Sequence, residues 1–287
     1  MQRTVRRIGE NGQPAVLKTR VVTAIVLGIL VVGAVVLLPP AATAMLLSVF
    51  VIIAAWEWSG LIGWTSTGLK IGYSVLIAVL ALAIWRWNQI GSLFVYLNVL
   101  ALVWWSIAAM AVVAAQLERL GRFGGLVTNS VSGLMVLLPA WSGIVWLLEN
   151  DRAMLLTIFA LIWVADGAAF FVGKRWGRTK LASKVSPGKT WEGVAGGLGF
   201  GVFCAIILSQ VRVLSDAAMI AFIGIAVAAI SASVVGDLFE SMVKRRIGVK
   251  DSGQMLPGHG GVMDRIDGLV AAAPIFVVGL HYGVNRL

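Results

Sequence analysis

The chain has 287 residues, is 59% hydrophobic and only 13% charged, and carries a formal net charge of +10. A mean hydropathy of +0.93 excludes a water-soluble globular domain and places the chain among integral membrane proteins. The basic excess sits in short loops beside apolar runs, so it reports membrane topology rather than nucleic-acid binding. The lone Cys204 excludes an intramolecular disulfide and a cysteine-ligated metal.

A helix needs about 20 apolar residues to span a bilayer. Nine runs qualify, at 21–38, 41–62, 71–87, 93–117, 131–148, 153–172, 194–211, 218–237 and 268–284. The first is followed by Pro39 and Pro40 rather than by a small-residue cleavage site, so it is expected to stay as a span and not to act as a signal peptide. The pattern predicts an all-α integral membrane protein, a polytopic helical bundle of about nine transmembrane helices. A short tail covers residues 1–17 and a single membrane domain covers 18–287. With the N-terminus cytoplasmic, nineteen of the 23 Lys and Arg residues fall on the cytoplasmic side, and only Arg86, Arg152, Arg212 and Arg286 fall on the other. That bias predicts an inner-membrane protein with its charged loops in the cytoplasm and its C-terminus outside.

In chain order, the first acid inside a span is Glu57, between Trp56 and Trp58. The Trp-rich stretches there read as interfacial or packing aromatics. Asp166 follows in the sixth run, eight residues before Lys174, and Asp237 ends the eighth, with Ser241 one helical turn further on the same face. At about 1.5 Å per helical residue, both acids lie within roughly 12 Å of the basic loops. Ionised groups at that depth usually face a partner or a wet cavity.

Two loops are too polar to be simple connections. The loop at 174–192 carries six basic residues together with Ser186, Pro187, Gly188 and Thr190. Gly188-Lys189-Thr190 invites comparison with a P-loop, but Ser183 stands where that pattern needs glycine. Lys184, Ser186, Lys189 and Thr190 are still able to hold a phosphate by point charge and hydroxyl. The segment at 241–267 holds Lys244, Arg245, Arg246, Lys250 and Arg265, with Asp251, Asp264, Asp267, His259 and five glycines. Carboxylates for a hard cation, basic groups for phosphate and glycines for close backbone approach are the ingredients of a nucleotide or phosphate site. Asp264 and Asp267, three apart, share one helix face, and Asp237 with Asp264 would supply carboxylates from two helices to Mg²⁺. His259 is open to a role as base, donor or metal neighbour.

At this point the sequence resembles the phosphatidate cytidylyltransferases. The family pattern runs Ser, Lys-Arg, Lys-Asp, a small residue, Leu-Pro, His-Gly-Gly, Asp-Arg-x-Asp. Ser241, Lys244, Arg245, Lys250, Asp251, Gly253, Leu256, Pro257, His259, Gly260, Gly261, Asp264, Arg265 and Asp267 all fall in register. The stretch from Lys184 to Trp191 resembles a second part of the pattern. Asp166, Ala169 and Gly173 resemble a third, with Phe170 where Tyr is common. The resemblance covers about 163–268, which marks the catalytic part.

It implies CMP transfer from CTP to phosphatidate, giving CDP-diacylglycerol and pyrophosphate, with Mg²⁺, K⁺ as a second cation, membrane lipid around the chain and a homodimer. Nucleotidyl transfer between two polyanions depends on charge neutralisation and in-line positioning. The expected catalytic set is Asp237, Asp264, Lys244, Arg245, Lys250, Arg265, His259 and Asp267. The substrate-binding set is Lys184, Ser186, Lys189, Thr190, Ser241, Asp251, Gly260, Gly261 and Asp166. A membrane phosphoglycosyl transferase acting on a polyprenyl phosphate would use similar groups. A secondary transporter is the non-enzyme alternative, although no inverted repeat is visible.

Overall fold

The computed structural model describes residues 13–88, 92–119, 124–256 and 260–284; the side chains of residues 13–21 and 24 are not included. Nine α-helices occur among these residues, one on each apolar run. They are α1 (Gln13–Leu37), α2 (Pro40–Ile62), α3 (Thr67–Asn88), α4 (Leu93–Gln116), α5 (Leu126–Asn150), α6 (Arg152–Trp176), α7 (Trp191–Val211), α8 (Asp216–Arg246) and α9 (Met263–Tyr282). Seven of them, α2 to α8, are long and apolar enough to cross a membrane. Outward faces carry exposed apolar side chains such as Val79 and Leu82 on α3, Val103 and Met110 on α4, and Phe203 and Ile207 on α7. A soluble protein does not expose apolar surface on this scale; a bilayer covers it.

Two packed regions sit inside the bundle. In one, Phe239 of α8 stacks on Trp58 of α2 and meets Trp104 and Trp105 of α4 edge-on, at 5.9–6.3 Å between centroids. Trp58 is fully buried and donates its indole N–H to the Asn129 carbonyl at 2.9 Å. These tryptophans are packing aromatics, whereas Trp87 is exposed. The other region joins α5 and α6 to α8 and α9 around Ile158, Phe222 and Phe276. Small residues set the closest helix approaches. A Cβ on Gly236 of α8 would collide with the Asp267 carbonyl of α9, and one on Gly197 of α7 would come within 2.9 Å of the Ala165 carbonyl of α6.

Hydrogen bonds and ion pairs sort the connections into two ends. At one end Gln116 of α4 bonds Ser183 and Lys184, Glu57 of α2 reaches Ser252, and Lys189 reaches Asp237. At the opposite end Trp85 bonds Glu149, Arg152 donates to the Val35 and Leu38 carbonyls, and Arg212 forms a two-point pair with Asp151 at 2.7 and 3.0 Å.

Asp151 also caps α6, accepting from the Ala153 and Met154 amides at 3.0 Å each. The Arg212 guanidinium, helped by those two amides, holds the Asp151 carboxyl below its ordinary value of 3.8. A depressed carboxyl adds stability that is fully present above the unfolded-state value and is lost as pH falls through the folded-state value. Asp151→Asn keeps the helix cap but loses the charge that holds Arg212, and should therefore lower stability by about 0.5–1 kcal/mol at pH 7. The Tm gap between variant and wild type should narrow as the pH is taken below about 4; thermal unfolding in detergent at both pH values checks this.

Candidate active site

The charged end of α8 is longer than the apolar run alone indicates. The helix continues nine residues past Asp237 to Arg246, so Asp237, Glu240, Ser241 and Lys244 fall at i, i+3, i+4 and i+7 on one face. Helix α9 starts at Met263, which puts Asp264 and Asp267 in its first turns. The close α8–α9 approach at Gly236 brings the two acidic faces together.

Lys189 sits on Asp237 Oδ2 at 2.6 Å, and the Ser241 hydroxyl donates to Asp237 Oδ1 at 3.2 Å. Lys244, nearly buried, bridges Glu240 at 2.9 Å and Asp264 Oδ1 at 2.6 Å. Asp264 Oδ2 accepts from the Ser252 amide at 2.9 Å, the Ser252 hydroxyl at 3.0 Å and the Gly261 amide at 2.8 Å. Gly260 adopts φ +83°, a conformation that glycine tolerates best, and a Cβ there would lie 2.9 Å from Asp264 Oδ2. Asp267 accepts from the Gly268 amide at 2.8 Å and feels the charges of Asp237, Glu240 and Lys189. Asp166 on α6 faces Lys189 and Asp237 electrostatically.

The basic loop between α6 and α7 is an antiparallel hairpin, β1 (Lys180–Ala182) with β2 (Ser186–Thr190). Its ends are pinned: Glu192 accepts from the Thr179 amide at 3.0 Å, and the Thr190 hydroxyl accepts from the Gly193 amide at 3.1 Å, capping α7. The hairpin separates two lysines that look equivalent in sequence. Lys189 points to Asp237, while Lys184 pairs with Glu118 and its amide donates to Gln116 at 3.0 Å.

A cavity of about 1310 Å³ runs from this cluster into the bundle. Its polar wall includes Asp166, Lys174, Lys180, Lys189, Asp237, Asp264, Arg265 and Asp267, with Ser186 and Thr190. Its apolar wall comes from α1, α2, α5 and α6, including Phe50, Trp141, Phe159 and Trp163. Eight of the sequence-predicted site residues therefore share one space. Ser241 and Lys244 stand behind that wall as partners of its carboxylates. Gly261 gives its amide to Asp264. Arg245, Lys250 and Asp251 are exposed outside the cavity lining, as is Lys184. His259 lies outside the described residues.

Lys184 is engaged with Glu118 and with Gln116 of α4, and Thr190 is buried as the cap of α7 with its edge on the cavity. Three participants escaped the sequence reading as site residues. Glu240 was legible as an i,i+4 partner of Lys244. Glu57 was visible only as an intramembrane acid. Ser252 carried no signal.

The charged wall has four carboxylates and four cationic side chains among the described residues, so formally it offers a polyanion no net attraction. Asp237 and Asp264 each hold a lysine ammonium at 2.6 Å, which marks where a cation sits on each. No group of three or more His, Cys, Asp or Glu able to hold a metal occurs among the described residues. Mg²⁺ commonly uses only one or two carboxylates and takes its other ligands from phosphate and water. These hard oxygen donors fit that ion.

Such an arrangement, balanced acids and bases at one end of a cavity within long apolar helices, defines a membrane-embedded protein with a charged internal site. The sequence profile of the cytidylyltransferase family matches residues 18–282. The chain is 41% identical over 264 residues to a phosphatidate cytidylyltransferase of Pseudomonas aeruginosa, covering 91% of this chain and 95% of that one. It is 36% identical over 280 residues to the protein of that name in Haemophilus influenzae, covering 91% and 97%. For the Brucella suis protein of that name the identity is 34% over 283 residues, covering 90% and 91%. This chain belongs to the cytidylyltransferase family.

Proposed function

We propose that the protein transfers CMP from CTP to phosphatidate, yielding CDP-diacylglycerol and pyrophosphate. The observation that carries this reading is the single continuous cavity with one charged and one apolar wall. It suits a nucleoside triphosphate meeting a phosphate that carries two acyl chains. Family membership supplies the cytidylyl donor, and the name of the relatives supplies the acceptor.

In this reading all nine helices cross the inner membrane. The N-terminus and the charged end of the bundle face the cytoplasm, where the nineteen basic residues are concentrated. The acyl chains remain among Phe50, Trp141, Phe159 and Trp163 while the lipid phosphate reaches Asp237 and Lys189.

A phosphatidate oxygen attacks the α-phosphorus of CTP. The new O–P bond forms as the bond to the α–β bridging oxygen breaks, and pyrophosphate leaves with that electron pair. The attacking phosphate is already ionised, so no residue need remove its proton. Lys189 and Arg265 on the cavity wall hold the phosphoryl oxygens, and Lys174 and Lys180 extend the same wall toward the leaving pyrophosphate. Ser241 orients Asp237, and Lys244 fixes Asp264. Asp237 and Asp264 would hold Mg²⁺, which when bound screens the triphosphate and polarises its oxygens. Arg245 and Lys250, exposed at the end of α8 and just beyond it, raise the local concentration of CTP by long-range attraction.

The test is pyrophosphate release by detergent-purified protein given CTP, Mg²⁺ and phosphatidate, each omitted in turn. Release that requires all three is the expected result. Release of UMP from a UDP-sugar with a polyprenyl phosphate would replace this reading by phosphoglycosyl transfer.

A further inference from the structure

Glu57 is the one acid of α2, far in sequence from the charged segment, yet its carboxylate ends inside it. It is 3% exposed. Oε1 accepts from the Val262 amide at 3.0 Å; Oε2 accepts from the Met263 amide at 2.8 Å and the Ser252 hydroxyl at 3.2 Å. The Ser252 amide also bonds Asp264, and the one proton of the Ser252 hydroxyl is shared between the Glu57 and Asp264 carboxylates. Two glycines make the room: a Cβ on Gly253 or on Gly261 would collide with the Glu57 carboxylate. One carboxylate of the N-terminal half thus gathers both sides of the loop between α8 and α9 and the first amides of α9.

We propose that Glu57 is a positioning residue for the transfer reaction, a latch from α2 that sets the loop and the first turn of α9 and so aims Asp264 and Asp267 at the cavity. This rests on the functional reading above. Glu57 does not line the large cavity, so its effect falls on turnover rather than on lipid binding. A carboxylate displaced by about 1 Å can cost about 10²-fold in rate.

The test uses the full chain in detergent with Glu57→Gln, Glu57→Ala, Gly253→Ala and the double variant Glu57→Ala/Gly253→Ala. In Glu57→Gln the amide group turns an N–H toward backbone N–H groups. Its kcat should fall about 10²-fold with KM for phosphatidate within about twofold of wild type. Gly253→Ala should fall comparably, because the added methyl displaces the carboxylate. In the Glu57→Ala background the same methyl should cost almost nothing, a non-additivity that a merely destabilising glycine substitution would not show. Hydrogen exchange reads the latch without turnover. The segments at 248–256 and 260–266 should lose protection in Glu57→Gln while α5 and α6 keep theirs.

Near-wild-type kcat in Glu57→Gln, additive effects in the double variant, or exchange that rises equally in every helix would overturn the proposal. Absence of turnover by the wild type would instead sink the functional reading and leave exchange to decide on the latch.

Discussion

Asp237→Asn is expected to lower kcat by about 10²–10³-fold while leaving the protein folded. Asp237 stands on the cavity wall with Lys189 on one oxygen and Ser241 on the other. Asparagine keeps an acceptor for the Ser241 hydroxyl but removes the charge that holds Lys189 and would hold Mg²⁺. The stability effect is small because the pair is partly exposed, with side-chain accessibilities of 24% and 36%. Pairs of that kind contribute about 0–1 kcal/mol. Steady-state rates and thermal unfolding on one preparation separate the two effects. A variant that keeps more than half of wild-type kcat would remove Asp237 from the reaction.

Asp264→Asn should lose as much activity and, unlike Asp237→Asn, much of its stability. Asp264 takes a nearly buried lysine on one oxygen and three donors on the other. Asparagine presents an N–H group either to Lys244 or to the Ser252 and Gly261 donors. Lys244 then keeps Glu240 as its ion-pair partner among the described residues. Removing one partner of a buried pair costs about 3–5 kcal/mol. With Glu240 still in place the lower end is expected, a Tm drop of about 5 °C. An unchanged Tm would mean that the loop between α8 and α9 does not depend on Asp264, and the network from Glu57 through Ser252 to Lys244 would lose its centre.

The sequence made the helices legible because a bilayer enforces long apolar runs, and each of the nine runs carries a helix. It made the acids legible too, since charge in such a run is anomalous. Helix ends were less readable. The Lys244-Arg245-Arg246 run looks like the start of a loop, yet it forms the last turn of α8, where basic residues complement the helix dipole. The hairpin at 180–190 gave no sign, because strands of three and five residues have no measurable alternation. Lys184 and Lys189 carry the same charge in the same loop, and only the hairpin sends one to α4 and the other to Asp237. Glu57 was conspicuous, but its partners lie about 200 positions away, at Ser252, Val262 and Met263, and no local pattern encodes such a contact. The apolar wall was unreadable for the opposite reason: Phe159 and Trp163 look like every other aromatic residue in a membrane helix.

The most direct measurement follows the label from CTP carrying ³²P at the α or the γ position, incubated with purified protein, Mg²⁺ and phosphatidate. The account predicts that α-label moves into the lipid phase as CDP-diacylglycerol while γ-label stays in water as pyrophosphate. Recovery of the α-label only in water-soluble CMP or CDP would contradict it, because the nucleotide would then have been cleaved without its cytidylyl group reaching the lipid.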